Sequence, residues 1–223
     1  MSGSGAPFGA HPYGAVAAVY DELATLYSLG AIDRSKQAGV DALVPGEAVL
    51  FAGVGRGADA LRAVRRGVRV TAIDLAPAML ARFRAALVRA GLAAQTIEGD
   101  VADHAPAAPY DALVAHYFLN LWDAPTAGAM LVRLRALLRT GGRLVLADFA
   151  PPSGGLVARA LTAAYYRPID WIAWALGFCA LHPILDYAAL LPAAGYRIVR
   201  TQRFPILLGE NPAFVSIVAE RVD

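Results

Sequence analysis

Cysteine and lysine are almost absent from this chain of 223 residues, which contains one of each, Cys179 and Lys36. A lone cysteine excludes an intrachain disulfide and a metal site built from several cysteines, and it favours a reducing compartment. Charged residues make up only 17% of the chain, and the formal net charge is +2. Because no stripe of basic residues is present, we expect no nucleic-acid partner. From the lone cysteine we expect a cytoplasmic protein.

A long hydrophobic run is also lacking, although 57% of the residues are hydrophobic. The apolar stretch Trp171–Leu185 is broken at Pro183 and flanked by Asp170 and Asp186. It is shorter than the ~20 residues that a membrane-spanning helix needs, so it predicts a buried or membrane-facing cap. The first twenty residues lack the basic and continuous apolar regions of a secretory signal, and we expect Met1–Gly14 to be a flexible lead.

The most informative stretch is Ala48–Asp74, AVLFAGVGRGADALRAVRRGVRVTAID. It predicts an apolar strand, a glycine-rich turn, a helix and a second strand, Val68–Ile73, which closes on Asp74. Glycines let the backbone adopt positive φ angles close to a ligand, and the helix offers its positive N-terminal end. A carboxylate after the second strand can accept hydrogen bonds from a ribose. This pattern predicts an adenosine-binding βαβ unit.

Strands and helices alternate along the rest of the chain, as apolar periodicity and end signals indicate. Helices are predicted at Tyr13–Leu29, Ile32–Leu43, Pro77–Ala90, Pro125–Leu138, Leu156–Tyr166, Trp171–Leu181 and Asp186–Ala194. Further strands are predicted at Ala94–Ile97, Tyr110–Tyr117, Arg143–Phe149, Tyr196–Phe204 and Ala213–Glu220. Thr140-Gly141-Gly142 is expected to stop a helix. The alternation predicts a parallel sheet, closed by an antiparallel hairpin.

Four features, in this order and at these intervals, resemble the class I S-adenosylmethionine-dependent methyltransferases. They are the glycine turn, Asp74 about twenty residues later, Gly99-Asp100 after the third strand, and the segment LRTGGRLVLADF. The resemblance covers residues 49–149 well and the rest loosely. The segments YDELATLYSLGAIDRSKQ and Tyr117–Asp123 are most similar to the ubiquinone/menaquinone C-methyltransferases and their phospholipid N-methyltransferase relatives.

This resemblance implies an α/β fold of three layers, with a Rossmann-like sheet of seven strands of which one is antiparallel. It implies a flexible lead and an N-terminal helical lid at 1–45 and an S-adenosylmethionine-binding core at 46–150. A hydrophobic helical insert that caps the acceptor is expected at 151–185. A closing helix and β-hairpin of the same domain are expected at 186–223.

The resemblance also implies S-adenosylmethionine as the cofactor. Gly53, Gly55 and Gly57 would pass beneath its methionine part, and Asp74 would bind its ribose. Asp100 and Val101 would meet the adenine. The remaining cofactor-binding residues implied by the resemblance are Tyr20, Leu75, Met79 and His116.

Phe51 departs from the family pattern, which has an acidic residue at this place to orient the aminoacyl end of the cofactor. Phenylalanine cannot make those hydrogen bonds. Either Phe51 fills space while another group takes over, or the protein binds the cofactor atypically. The second alternative allows chemistry other than methyl transfer, or a non-catalytic S-adenosylmethionine sensor or partner subunit. A nicotinamide-dependent oxidoreductase is a further alternative, although the third glycine lacks the dinucleotide spacing.

Methyl transfer is an in-line displacement at a sulfonium carbon, so the protein mainly aligns the acceptor and excludes water. A carbon or oxygen nucleophile also needs a base. We expect His116, Tyr117 and His182 as the catalytic candidates, with Tyr20, Tyr165 and Asp148 as alternatives. Each of the two histidines has a structural alternative, and Asp148 could instead order a loop.

The predicted insert is aromatic, and its large side chains are Tyr165, Tyr166, Trp171, Trp174 and Phe178. These residues are either core or the wall of an acceptor pocket, and the second interpretation favours a small hydrophobic acceptor such as a quinone precursor, a lipid or an apolar secondary metabolite. Arg159 and Arg167 beside the tryptophans would suit peripheral membrane contact. Nothing in the sequence calls for a metal, and it leaves the oligomeric state open.

Overall fold

The computed structural model describes residues 28–151, 184–205 and 212–223. Its helices are α1 (Ala31–Val40), α2 (Ala58–Arg65), α3 (Pro77–Ala90), α4 (Ala124–Leu137) and α5 (Tyr187–Ala193). Its strands are β1 (Ala48–Ala52), β2 (Arg69–Asp74), β3 (Gln95–Glu98), β4 (Tyr110–His116), β5 (Leu138–Phe149), β6 (Tyr196–Pro205) and β7 (Pro212–Arg221). Short 3-10 turns lie at Val101–Asp103 and Leu119–Leu121.

The seven strands form one sheet in the order β3-β2-β1-β4-β5-β7-β6. Strands β1 to β5 pair in parallel, whereas β7 runs antiparallel to both β5 and β6. The predicted parallel sheet with one antiparallel strand is therefore confirmed. The order of the strands reverses at β1, because β2 and β3 extend the sheet on one side of β1 and β4 and β5 extend it on the other. Ligands of open α/β sheets bind at the carboxyl ends of the strands beside such a reversal.

The sheet is covered on both faces, because side chains of one strand point alternately to opposite sides. On β1, Leu50 and Ala52 face α4 and α5, while Val49 and Phe51 face α1, α2 and α3. Strand β1 has four consecutive buried residues after Ala48, and this explains its continuous apolar sequence. The result is the three-layer arrangement that the sequence predicts.

Several helix ends follow directly from local chemistry. Helix α3 has the predicted bounds, and Gly91 ends it in the left-handed conformation at φ 64°. Asp123 caps α4 by accepting a hydrogen bond from the Thr126 N–H group, and Asp186 caps α5 in the same way through Ala188.

Strand β5 differs from its predicted bounds by beginning at Leu138 instead of Arg143. Thr140-Gly141-Gly142 does not separate the helix from the strand, since α4 ends at Leu137 and the strand follows at once. Leu138 pairs with Tyr110, and the register then shifts before Ala112 pairs with Arg143. Gly141, at φ 68°, lies at this irregularity inside the strand, so the prediction that Thr140-Gly141-Gly142 stops the helix is wrong.

Helix α1 packs directly on the sheet, with Val40 among the buried residues of the α2 and α3 side. Ala31 joins Phe204 and Phe214 in a smaller apolar cluster at β6 and β7. The division into the parts 1–45, 46–150, 151–185 and 186–223 stays a prediction. The predicted helices Tyr13–Leu29, Leu156–Tyr166 and Trp171–Leu181 lie outside the described residues. Within the described ranges, no helix is both long and apolar enough to cross a bilayer.

Candidate functional site

The glycine turn lies where β1 ends, at the carboxyl edge of the parallel strands. Gly53, Gly55 and Gly57 have φ angles of 73°, 49° and 74°, which side chains disfavour. The Gly53 N–H group donates to the carbonyl of Ile73 at 2.9 Å, which ties the turn to β2. A Cβ atom on Gly55 would meet nothing within 4 Å, so this backbone faces open space. The turn therefore leaves bare backbone at this edge of the sheet, and its contact with a ligand stays a prediction.

Asp74, the last residue of β2, is held against this turn by two backbone groups. Its Oδ2 atom accepts from the Gly55 N–H group at 3.1 Å, and its Oδ1 atom accepts from Ala76 at 2.8 Å. A carboxylate has about four lone-pair sites, so both oxygens can still accept from ligand hydroxyls. The side chain is oriented before any ligand arrives.

The ends of β2 and β3 meet beside Asp74, since the Gly99 N–H group donates to the Asp74 carbonyl at 3.1 Å. Leu75 is 70% exposed there, and Met79 packs half-buried on α3. Asp100 accepts from the Ala102 N–H group at 2.8 Å, and the side chain of Val101 is buried in the core. The structure thus brings Asp74, Leu75 and Asp100 to one edge, as the sequence implies.

Phe118 is a neighbour of the turn that sequence reasoning did not assign. A Cβ atom on Gly53 would lie 3.0 Å from Cδ2 of Phe118, so the ring lies directly over the glycine. Trp122 supports Phe118 edge-on at a centroid distance of 5.0 Å. Tyr117 turns the chain into this position with φ 51°, a rare conformation for a bulky residue. The aromatic residues directly after β4 are the feature of the sequence that could have identified Phe118.

His116, at the end of β4, is buried between two helices. Its Nδ1 atom lies 2.7 Å from Oδ2 of Asp59 on α2. A Cβ atom on Gly39 of α1 would lie 2.6 Å from the Nε2 atom, so the helix approaches this closely only because residue 39 is glycine. The Nε2 atom has no hydrogen-bond partner among the described residues. The imidazole is packed beneath α1.

Asp59 is the carboxylate that pairs with His116, and its side chain is 13% exposed. Burial alone would raise the pKa of Asp59, but the hydrogen bond from His116 and the nearby charge of Lys36 lower it to about 2. The carboxylate is therefore ionised at neutral pH, and Nδ1 of His116 donates the hydrogen bond. Sequence reasoning missed Asp59, although it follows the third glycine by two residues.

The phenol of Tyr117 points to α1, where its oxygen lies 3.0 Å from Oγ of Ser35. The Ser35 hydroxyl donates to the Ile32 carbonyl at 2.7 Å, so Tyr117 is the donor to Ser35. The Nζ atom of Lys36 lies 5.5 Å from the centre of the Tyr117 ring, within cation–π range. Tyr117 thus links α1 to the end of β4.

Asp148 and Phe51 are both part of the core. Asp148 is 3% exposed and accepts a hydrogen bond from the Tyr187 hydroxyl. Burial raises its pKa to about 7, against the opposing hydrogen bonds from Tyr187, Phe149 and Asn120. Phe51 is 2% exposed and packs with the apolar cluster of α2 and α3. The candidates Tyr20, Tyr165 and His182 lie outside the described residues.

Comparison with known proteins agrees with this geometry. Residues 49–142 match a family model described as a methyltransferase domain. The demethylmenaquinone methyltransferase of one Thermus thermophilus strain is 32% identical over 163 residues, which cover 70% of this chain and 73% of that protein. The ribosomal protein L11 methyltransferase of another strain of Thermus thermophilus is 30% identical over 141 residues, 60% of this chain and 54% of that protein. The chain thus spans about half the length of this second relative.

A solved structure supports the fold. Magnesium protoporphyrin IX methyltransferase from Synechocystis PCC 6803, crystallised with bound SAH, has a TM-score of 0.64 at 19% identity, over 87% of this chain and 83% of that chain. The Rossmann-like fold that the sequence predicts is confirmed.

Proposed function

We propose that this chain, a member of the class I S-adenosylmethionine-dependent methyltransferase family, transfers a methyl group to a small hydrophobic acceptor. The methyl group comes from S-adenosylmethionine. The observation that carries this proposal is the coupling of Asp74 to the Gly55 N–H group. It places an oriented carboxylate beside bare backbone at the sheet edge where α/β proteins bind ligands.

The residues of this edge fit S-adenosylmethionine. The open space at Gly55 admits the methionyl chain, and the free lone pairs of Asp74 suit the two ribose hydroxyls. Leu75, which is 70% exposed, offers an apolar surface for one face of the adenine. Asp100 would be available to the adenine's amino group, since one of its oxygens accepts from Ala102 and the other can accept from a ligand.

Bound S-adenosylmethionine supplies a methyl group on a positively charged sulfonium, which is already activated for transfer. The chain therefore has to hold this group, orient the acceptor and exclude water. Phe118 lies over Gly53 and shields this part of the turn from solvent. Tyr117 and His182 remain predicted bases for an acceptor that must lose a proton. His116 is predicted with them, but its Nδ1 atom pairs with Asp59 and its Nε2 atom is buried against Gly39 of α1.

The hydrophobic acceptor is inferred from the aromatic residues between 151 and 185 and from one relative. That relative carries the name demethylmenaquinone methyltransferase, so an apolar ring compound is a sensible first acceptor class. We also propose a cytoplasmic location, with peripheral membrane contact through the same segment as an alternative.

Phe51 supports a second candidate, in which the protein binds S-adenosylmethionine but does not transfer its methyl group. The side chain at this position is buried in the core and offers no carboxylate to the ligand. A protein of this kind would bind the cofactor without turnover, or use it in other chemistry.

Incubation with S-adenosylmethionine and a panel of lipophilic acceptors separates the two candidates. The panel contains quinols, phospholipids with amine headgroups and phenolic compounds, and the product measured is S-adenosylhomocysteine. Release that depends on one acceptor class supports methyl transfer. Cofactor binding without release across the panel would contradict methyl transfer to a hydrophobic acceptor and favour the second candidate.

A further inference from the structure

Two opposite charges lie beside the end of β4. Asp59 pairs with His116, and the Nζ atom of Lys36 lies 5.5 Å from the centre of the Tyr117 ring. Asp59 follows Gly57 by two residues, at the start of α2. Lys36, the chain's single lysine, lies on α1, and its positive charge contributes to the lowered pKa of Asp59. Helices α1 and α2 meet at the end of β4, where His116 contacts Gly39 of α1 and Asp59 of α2. An anion and a cation thus lie beside the end of β4, the strand next to β1 at the edge where the cofactor is proposed to bind.

We propose that Asp59 and Lys36 bind the amino acid end of S-adenosylmethionine, with Asp59 accepting from its ammonium group and Lys36 pairing with its carboxylate. This inference rests on the proposed function. The amino acid end is a zwitterion, so it needs one partner of each sign. Strand β1, with the sequence AVLFA, has no acidic residue to serve this end. Asp59 is the acid that stands closest in sequence to the turn.

The carboxylate of Asp59 keeps hydrogen-bonding capacity for such a ligand. Its Oδ2 atom accepts from His116 at 2.7 Å and its Oδ1 atom accepts from the Ala60 N–H group at 3.1 Å. Each oxygen keeps a lone-pair site. The side chain is 13% exposed, so it is largely shielded from bulk water. Charge-assisted hydrogen bonds are strong in such places.

His116 acts on the ligand through Asp59. The ionised Asp59 fixes the proton on Nδ1 of His116, and the imidazole fixes the carboxylate in return. The ring itself is pressed against Gly39, so it has no room to rotate. His116 is accordingly a positioning residue for Asp59 at this site.

Calorimetry with two ligands tests the inference. S-adenosylhomocysteine carries the amino acid end, and 5′-methylthioadenosine lacks it while keeping the adenosine and the sulfur. Asp59→Asn is expected to weaken S-adenosylhomocysteine binding about 10-fold, as one charged hydrogen bond is worth, and to change methylthioadenosine binding less than about 2-fold. Asp41→Asn is the matched control, because Asp41 pairs with Arg62 and Arg66 on the surface. It should change neither affinity.

Lys36→Gln provides an independent variant that leaves the Asp59–His116 pair intact. It should lower the preference for S-adenosylhomocysteine over methylthioadenosine, and His116→Ala should lower the same preference. If Asp59→Asn and Lys36→Gln affect both ligands equally, or neither ligand, the inference is overturned while the proposed function stands. If the unaltered protein binds neither ligand, both are overturned.

Discussion

The hydroxyl group of Tyr187 on α5 donates a hydrogen bond to Oδ2 of Asp148, the penultimate residue of β5. Both side chains are at most 3% exposed. Burial raises the pKa of Asp148 to about 7, and burial together with the Asp148 charge raises the pKa of Tyr187. The folded protein therefore holds a proton on Asp148 that the unfolded chain releases near its ordinary value.

This pair predicts a pH dependence of stability. The pKa of Asp148 is higher in the folded protein than in the unfolded chain, so protonation of Asp148 stabilises the fold. This contribution is fully present below about pH 4 and is lost as the pH rises towards about 7. Within that window the loss is about 1.4 kcal/mol per pH unit. Asp148→Asn removes the ionisable group, so the variant should not lose this contribution as the pH rises. The free energy of unfolding of the variant minus that of the parent should therefore be larger at pH 7 than at pH 4.5.

Urea unfolding of both proteins at pH 4.5, 6 and 7 measures this difference. Other carboxylates titrate equally in the two proteins, so their contribution cancels. A stability difference that stays constant from pH 4.5 to 7 would show that Asp148 ionises at an ordinary pKa.

Phe51 predicts a large loss of stability when it is shortened. Phe51→Ala should lower the free energy of unfolding by about 3–5 kcal/mol, because it leaves a cavity in the core. Phe51→Asp should lower it further, since the new carboxylate would be buried without a partner. Leu121→Ala, at a residue 44% exposed, is the control and should change stability by less than about 0.5 kcal/mol. A Phe51→Asp protein as stable as the parent would contradict this packing and indicate that residue 51 faces the ligand.

Alanine substitutions at Gly57 and Gly55 should have different effects on stability and on ligand binding. A Cβ atom on Gly57 would lie 2.6 Å from Cδ2 of Phe83, so Gly57→Ala combines strained backbone with overpacking. We expect it to lose about 2–4 kcal/mol of unfolding free energy. Gly55→Ala meets no neighbour and should lose about 1 kcal/mol, yet weaken S-adenosylhomocysteine binding because its Cβ atom enters the ligand's space. Thermal unfolding and calorimetry measure the two effects, and equal stability losses would disprove the assigned contacts.

Local chemistry explains which parts of the fold are predictable from the sequence. The glycine turn and Asp74 are recognisable because positive φ angles and a terminal carboxylate require particular residue types. The bounds of α3 match the prediction because Pro77 starts the helix and Gly91 ends it. The antiparallel hairpin follows from two alternating strands near the end of the chain.

Long-range contacts explain what the sequence does not reveal. Asp59 and His116 are 57 residues apart, and their pairing depends on Gly39 of a third element. The position of Phe118 over Gly53 depends on the unusual backbone of Tyr117. Strand β5 starts early because Leu138 finds a pairing partner in Tyr110, which no local signal announces.

Binding of S-adenosylhomocysteine to the parent protein and to Asp74→Ala tests the central claim most directly. Isothermal titration calorimetry should show one binding site in the parent, and Asp74→Ala should weaken the affinity about 10-fold or more through loss of charged hydrogen bonds to the ribose. Asp111→Asn is the control, since Asp111 binds Ala48 and Arg139 at the opposite end of the strands. It should leave the affinity unchanged. Absence of binding to the parent protein, or equal binding by parent and Asp74→Ala, would contradict the account.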